Sequence, residues 1–369
     1  MLAPQTLMNH VFTLVLAGGS GTRFWPASRK DRPKQVLGMG PDPSLPLIGH
    51  TLRRVAELCP PQQMIVATGE SLVDVTRQAL PELGASSFIA EPVARNTAPC
   101  IAWGAHIIAR RDPEAVVMVL PSDHHIEDEP EFRRILAHAL GNAAQGTITT
   151  VGIKPTRAET GYGYIEADRE LSPGVLAVKR FEEKPNQATA ERYVASGKHY
   201  WNSGMFFFRA ADMLRAVEQH LPAVHACLQI IGEAARLGPD AEREATRRVF
   251  ADMPSISIDH GIMEKVQPLA VVPGSFGWSD LGSWHTVWEL GKRDHADNVG
   301  PDGAVFVDAH RNLIEDLREK NKTIRTVALL GVSDLCVVET DDAVLIMPRS
   351  RAQDVRSVVE ELTRRGGPV

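Results

Sequence analysis

The segment Gly18-Gly19-Ser20-Gly21-Thr22-Arg23 places three glycines in four positions after an apolar run and follows them with a permanent cation. Without side chains the backbone can approach a bound group closely, and successive N–H groups can form an anion-binding nest. An arginine beside such a nest suits phosphate. A tight strand-to-helix turn would use the same residues, so both readings stand on this segment alone. Its spacing is neither G-x-G-x-x-G nor G-x-x-x-x-G-K-[ST], which disfavours a dehydrogenase or P-loop reading. Just downstream, Arg29, Lys30, Arg32 and Lys34 add further cations around Pro33 and Gln35. A charge run alone is a solvated face; after a phosphate-cradling loop in an acidic chain it points to polyphosphate.

Other residues could do chemistry but are ambiguous locally. Asp123 ends an apolar run in Pro121-Ser122-Asp123, a position where carboxylates hold magnesium or cap the next helix. Asp280 lies in the turn Gly277-Trp278-Ser279-Asp280, where a lone Asp reads as a turn residue. Lys184 sits in Glu183-Lys184-Pro185, and Pro185 ends the preceding strand. On its own this is a surface turn. His124 and His125 lack the i, i+4 partner of a helical zinc site and read as structural.

The elements that must position these residues follow from periodicity. Phe12 to Ala17, Met64 to Thr68, Ser87 to Ala90 and Val116 to Leu120 read as buried strands. Pro46 to Cys59, Ser71 to Leu80 and Thr97 to Arg111 read as helices, the last capped by Asn96 or Thr97. This βαβα order predicts an α/β fold with a mostly parallel sheet and helices on both faces. Ligands then bind beyond the carboxyl ends of the strands, after Ala17, Ala90 and Leu120. Further strands are expected at Ile148 to Ile153, Gly163 to Ala167, Val175 to Phe181 and Met205 to Arg209, then helices over Ala210 to Arg236, Ala241 to Phe250 and Val287 to Gly291. Residues Gly303 to Met347 read as successive short strands, and Arg351 to Arg364 as a closing helix.

Composition bounds the function classes. The 369 residues carry 46 Asp+Glu against 40 Lys+Arg, a net charge of −6, with 43% hydrophobic content. That is an ordinary globular composition, and no apolar run approaches the roughly 20 residues that span a bilayer. No secretory signal is visible before Val11, so a cytoplasmic location is expected, with no membrane and no nucleic-acid partner. Cys59, Cys100, Cys227 and Cys336 form no C-x-x-C pair and read as four reduced thiols.

The stretch Leu16 to Gln35 resembles the signature of the sugar-phosphate nucleotidylyltransferases, and its form G-G-S-G-T-R-x-W-P…P-K-Q resembles the mannose-1-phosphate guanylyltransferase family. Further matches follow in order: Glu91-Pro92-x-x-Arg95-Asn96-Thr97-Ala98-Pro99, Leu120-Pro121-Ser122-Asp123-His124, Gly161-Tyr162-Gly163-Tyr164-Ile165, Phe181-x-Glu183-Lys184-Pro185, Trp201-Asn202-Ser203-Gly204-Met205-Phe206, Ile262-Met263-Glu264-Lys265 and Trp278-Ser279-Asp280-x-Gly282-Ser283-Trp284. The resemblance implies a Rossmann-like, GT-A-like nucleotidyltransferase domain over 1–288. A small C-terminal domain over 289–369, with short β-helix-like strands, would follow it. Asp308, Asn312 and Ile314 resemble the D-x-x-x-N-x-I turn of such tails. The tail would pack on the catalytic domain, form a homodimer, or act as a stabilising cap. The chain stops near 369, so the fused isomerase domain of longer relatives is expected to be missing.

The reaction implied is GTP + α-D-mannose 1-phosphate → GDP-mannose + diphosphate, by in-line attack of the sugar phosphate on the α-phosphorus. By resemblance, Asp123 and Asp280 ligate a Mg²⁺, Arg23 and Lys34 hold the GTP phosphates, and Lys184 faces the sugar phosphate. The nucleotide would lie on Ala17, Gly18, Gly19, Ser20, Gly21 and Thr22. Guanine would lie near Glu91, Arg95, Asn96 and Thr97, and the hexose on Gly163, Glu183 and Asn202. Trp201 and Phe206 to Phe208 read as pocket wall and core. Two alternatives are a sister transferase for another hexose 1-phosphate or nucleotide, and a catalytically silent nucleotide-sugar sensor.

Overall fold

The computed structural model describes residues 7–19, 21–40, 42–318, 325–367 and 369. In chain order its elements are β1 (Val11–Leu16), α1 (Leu47–Val55), β2 (Met64–Gly69), α2 (Val73–Ala79), β3 (Phe88–Glu91), α3 (Thr97–Arg111), β4 (Val116–Pro121), β5 (His125–Ile126), α4 (Glu129–Ala143), β6 (Ile148–Ile153), β7 (Tyr164–Ser172), β8 (Val175–Glu182), α5 (Gln187–Ser196), β9 (His199–Arg209), α6 (Ala210–His220), α7 (Pro222–Ala235), α8 (Pro239–Phe250), β10 (Leu269–Gly274), β11 (Trp278–Ser279), α9 (Trp284–Leu290), β12 (Val305–Val307), β13 (Leu313–Asp316), β14 (Ala328–Leu330), β15 (Leu335–Glu339), β16 (Val344–Pro348) and α10 (Val355–Arg365). They pack as two compact units. One comprises the chain up to Gly18 with Thr51–Ser122 and Ile126–Trp278; the other comprises Gly19–His50, Asp123–His125 and Ser279–Val369.

The first unit is built on a nine-stranded sheet of order β3-β2-β1-β4-β9-β6-β10-β8-β7. Its first four strands are parallel, as the βαβα pattern predicts. Beyond β4 the sheet is mixed. β9 runs antiparallel to both β4 and β6, β8 is antiparallel to β10 and β7, and only β6 and β10 return to parallel pairing. "Mostly parallel" therefore holds for the β3-β2-β1-β4 half alone: β7 and β8 form a direct hairpin with no crossover helix to impose a common direction. Along β1 and β4, Phe12, Leu14, Val117 and Val119 alternate onto the face covered by Ile101, Ala105 and Ile108 of α3. α4 packs on β6, β9 and β10 with a separate apolar stripe.

Two expectations need correction here. The stretch from Ala210 to Arg236 is two helices, because Leu221 leaves helical geometry (φ −135°, ψ 57°) and Pro222 restarts the chain at the first position of α7. The strand expected from Met205 begins earlier, at His199, and runs through Asn202-Ser203-Gly204. A register shift against β6 and a positive φ at Gly204 (72°) absorb those residues as a bulge.

The second unit has its own core, in which Phe24, Trp25, Leu37, Met39, Leu281 and Trp284 join Leu313, Cys336, Val338, Leu345 and Val355. Phe24 meets Trp284 edge-on at 5.0 Å, and the Trp284 indole N–H donates to the Trp25 carbonyl at 3.1 Å. Phe24 and Trp25, at the end of the turn that follows Gly21, are thus packed with the C-terminal strands. These strands pair in short parallel rungs, β12 with β14 and β13 with β15, and β16 closes antiparallel on β15. Asn312 is fully buried between them. Its Nδ2 donates to Asn298 Oδ1 at 3.0 Å and to the Val332 carbonyl at 3.1 Å, and its Oδ1 accepts from Leu335 N–H at 2.9 Å. An inward amide can stand there only because each polar atom is matched.

Candidate functional site

The phosphate-side residues lie in the second unit. Gly21 has φ 61°, and a Cβ on it would sit 2.6 Å from Lys34 Cβ, so a side chain is excluded on both counts. Its carbonyl accepts from Phe24 N–H at 2.8 Å and from the Ser28 hydroxyl at 2.7 Å, which closes the turn Thr22–Phe24. Lys34, at 4% exposure, is drawn in beneath that turn. Its ammonium donates to Asp123 Oδ2 at 3.0 Å, to the Asp280 carbonyl at 3.2 Å and to the Leu281 carbonyl, and it lies 4.8 Å from the centre of the Phe24 ring. All three donors of the ammonium are engaged, so Lys34 ties Asp123 and the Asp280 turn together. Burial pushes the Asp123 carboxyl up, but the Lys34 charge, helped by His124 and the Lys34 hydrogen bond, outweighs it and holds the group below its ordinary range. Arg23 is partly buried, and its guanidinium pKa is lowered by burial and by Arg356, against a counter-pull from Asp280. Ser20 lies outside the described residues, and Gly19 makes no close approach that a Cβ would disturb.

The base-side and hexose-side residues lie in the first unit. Ala17 continues β1, its N–H donating to the Ala67 carbonyl at 2.8 Å and its carbonyl accepting from the Thr68 hydroxyl at 3.1 Å. A Cβ on Gly18 would lie 3.5 Å from Glu91 Oε2, so the Glu91 carboxylate closes on the backbone at the end of β1. Glu91 is 8% exposed, its Oε1 has no hydrogen-bond partner, and burial pushes its pKa up to about 7 against a contact with the Cys100 thiol. Arg95, Asn96 and Thr97 are occupied as scaffold. Arg95 donates to the Ala251 carbonyl, Asn96 (φ 64°) caps α3 by accepting from Thr97 N–H at 2.8 Å, and the Thr97 hydroxyl accepts from Ile258 N–H at 2.8 Å.

Gly163, Glu183 and Asn202 do come together. The Gly163 carbonyl accepts from Asn202 N–H at 2.8 Å, and a Cβ on Gly163 would collide with Glu183 Oε2. Lys184 (φ 48°) is largely exposed and pairs its ammonium with Glu183 Oε1 at 2.7 Å. The cluster contains two carboxylates that the sequence analysis did not assign. Asp259 Oδ1 accepts from Asn202 Nδ2 at 3.0 Å, and burial, then Glu183, pushes its pKa up to about 6. Glu264 accepts from Glu183 N–H at 3.4 Å and meets His260 Nδ1 at 3.0 Å. Ile262 to Lys265 offered the signal for Glu264; Asp259 is carried in by the π-helical turn Asp259–Met263, which no periodicity announces. Tyr162 adds an aromatic wall, edge-on to Trp201 at 5.3 Å and to Trp278 at 5.4 Å. Phe206 to Phe208 are core.

Among the described residues no group of three or more His, Cys, Asp or Glu forms a metal centre. Two carboxylates nonetheless suit Mg²⁺, which binds through one or two carboxylates and takes its other ligands from phosphate oxygens and water. Asp123, kept ionised by Lys34, and Asp280, in the turn tied to the same ammonium, fit that donor set.

One unit thus carries a glycine turn whose buried lysine ties the Asp123 carboxylate to the backbone of the Asp280 turn, and the other carries a cluster of carboxylates around the Asn202 amide. Comparison with known proteins gives the family. Residues 12–297 match the nucleotidyl transferase family, and residues 302–362 match the MannoseP isomerase/GMP-like beta-helix domain. The chain belongs to the nucleotidyl transferase family, with a C-terminal β-helix of the mannose-phosphate type. It is 40% identical over 364 residues to the xanthan biosynthesis protein XanB of Xanthomonas campestris pv. campestris, covering 97% of this chain and 74% of that one. It is 38% identical over 360 residues to the mannose-1-phosphate guanylyltransferase RfbM of Salmonella typhimurium, covering 95% and 72%. The crystal structure of mannose-1-phosphate geranyltransferase from Thermus thermophilus matches with a TM-score of 0.85 and 34% identity, covering 96% of this chain and 99% of that one. All four cysteines are free and buried, and among the described residues no helix is long and apolar enough to cross a membrane.

Proposed function

We propose that the protein is a mannose-1-phosphate guanylyltransferase, converting GTP and α-D-mannose 1-phosphate to GDP-mannose and diphosphate. The observation that carries this reading is the Lys34 ammonium holding the Asp123 carboxylate and the backbone of Asp280 under the glycine turn. The names of relatives at 37% and 38% identity supply the substrates.

The nucleophile is already a phosphate anion, so no general base and no covalent intermediate are needed. The task of the chain is to hold two polyanions and answer the charge that develops at the α-phosphate. In this reading the backbone N–H groups of Gly19, Gly21 and Thr22 serve the GTP phosphates and Arg23 adds a fixed cation. Lys34 orients Asp123 and Asp280 and adds its own charge to the polyphosphate. When bound, Mg²⁺ neutralises and aligns phosphate oxygens; Asp123 and Asp280 are the residues that would hold it. Glu183 and Asn202 accept and donate to hexose hydroxyls, Gly163 adds its backbone, and Lys184 turns from Glu183 to the sugar phosphate. Glu91 supplies an acceptor for the guanine N1–H and 2-amino donors, a match that adenine cannot make. The reading includes a cytoplasmic homodimer and a domain boundary at 288/289. A panel of nucleoside triphosphates crossed with hexose 1-phosphates, read as diphosphate release with Mg²⁺, tests it. GTP with mannose 1-phosphate should lead, and equal or faster release with another pair would reassign the substrates.

A further inference from the structure

The closing helix carries a cation that the residue spacing did not single out. α10 packs on the turn Thr22–Phe24, with Val355 in the core that contains Phe24 and with Val358, Val359 and Leu362 along the same stripe. Arg356 follows the buried Val355 and is exposed. Arg23 precedes the buried Phe24, and its Nε is itself buried without a hydrogen-bond partner. Phe24 and Val355, each adjacent to one of the arginines, therefore share one packed core, which fixes where the two guanidiniums start.

Electrostatics supports the same placement. After burial, the largest influence lowering the Arg23 pKa is the Arg356 charge, and Asp280 only partly offsets it. Among the described residues neither guanidinium makes a hydrogen bond or an ion pair. By contrast, Arg349 and Arg311 in this unit share Asp334, and Arg318 meets Asp316. Two unmatched guanidiniums kept close repel each other in the free protein, and a phosphate group relieves that repulsion while using their donors.

We propose that Arg356 is a second polyphosphate-binding residue, supplied by the C-terminal helix and acting with Arg23, so that the C-terminal segment completes the nucleotide site. This rests on the guanylyltransferase reading for its substrate, and deepens it by giving the tail a role in binding as well as in packing. Lysine at this position keeps the charge but loses the planar fork.

The test uses the full chain with Arg356→Ala and Arg356→Lys. Calorimetric titration with magnesium diphosphate gives Kd without turnover, and diphosphate release gives KM for each substrate. For Arg356→Ala the expected result is about a tenfold rise in Kd for diphosphate and in KM for GTP, from the loss of charge-assisted hydrogen bonds. KM for mannose 1-phosphate and the thermal midpoint should stay near wild type, and Arg356→Lys should recover part of the loss. A diphosphate Kd within twofold of wild type in Arg356→Ala overturns the proposal, as does a wild-type chain that does not bind diphosphate. Wild-type binding of diphosphate without GDP-mannose formation would instead overturn the substrate reading, and the Kd comparison would still decide the role of Arg356.

Discussion

Replacing Lys34 with methionine keeps an unbranched apolar stem under Phe24 and removes only the ammonium. Three donors are lost at once: to Asp123 Oδ2, to the Asp280 carbonyl and to the Leu281 carbonyl. Breaking a fully buried ion pair by deleting one partner costs roughly 3–5 kcal/mol. The Asp123 side chain is 34% exposed, so water recovers part of that, and a destabilisation of about 2 kcal/mol is expected. The functional cost is larger, because Asp123 loses the charge that holds its pKa low and the Asp280 turn loses its tether. Removing a preorganised charge from a transfer site typically costs about 10²–10³ in turnover. The acid limb of the rate profile should also move to higher pH, since a carboxyl with a depressed pKa loses its benefit as pH falls through the folded value, and that value rises in the variant. Diphosphate release with saturating substrates across a Mg²⁺ titration, alongside urea unfolding, measures each part. Turnover within threefold of wild type with an unchanged Mg²⁺ requirement would refute the clamp.

Further outcomes follow from the same geometry. Gly163→Ala places a methyl against Glu183 Oε2, so KM for mannose 1-phosphate should rise about tenfold or more while KM for GTP holds, in steady-state kinetics with each substrate varied. Glu91→Gln should cut the preference for GTP over inosine triphosphate, which lacks the 2-amino donor, by up to about tenfold. Since the Glu91 pKa is raised to about 7, wild-type kcat/KM for GTP should climb between pH 6 and 8, and the variant should lose that rise. Glu315 is likewise pushed up to about 7 by burial. Its native form binds more protons than the unfolded chain between the ordinary carboxyl range and pH 7, so its contribution falls as pH rises through that window. Glu315→Gln should therefore gain on the order of 1–3 kcal/mol over wild type at pH 8 and almost nothing at pH 4, by urea unfolding.

What the residues announce and what they leave silent separates by range. The glycine turn, β1 to β4 and α3 from Thr97 to Arg111 rest on local pattern, and they lie where the periodicity places them. The true start of β9 at His199 is hidden because Asn202, Ser203 and Gly204 are poor strand formers, and the bulge that takes them up exists only against the neighbouring β6. The packing of Phe24 and Trp25 with the C-terminal strands depends on their meeting Trp284 across some 260 positions, and no window of sequence contains that contact. The site divides the same way. Resemblance makes Lys34 a phosphate ligand, whereas the structure occupies its ammonium with Asp123 and two carbonyls, a tether that no spacing in the sequence announces. Glu183 and Asn202 are legible from their motifs, while Asp259 reaches them through a π-helical turn that leaves no periodic trace.

The central claim is guanylyl transfer to mannose 1-phosphate, and phosphorus NMR of the purified chain with GTP, mannose 1-phosphate and Mg²⁺ tests it most directly. The prediction is the coupled pair of phosphate resonances of GDP-mannose appearing in step with diphosphate, with no GDP or inorganic phosphate. Unchanged GTP, or its conversion to GDP and phosphate with mannose 1-phosphate untouched, would contradict it.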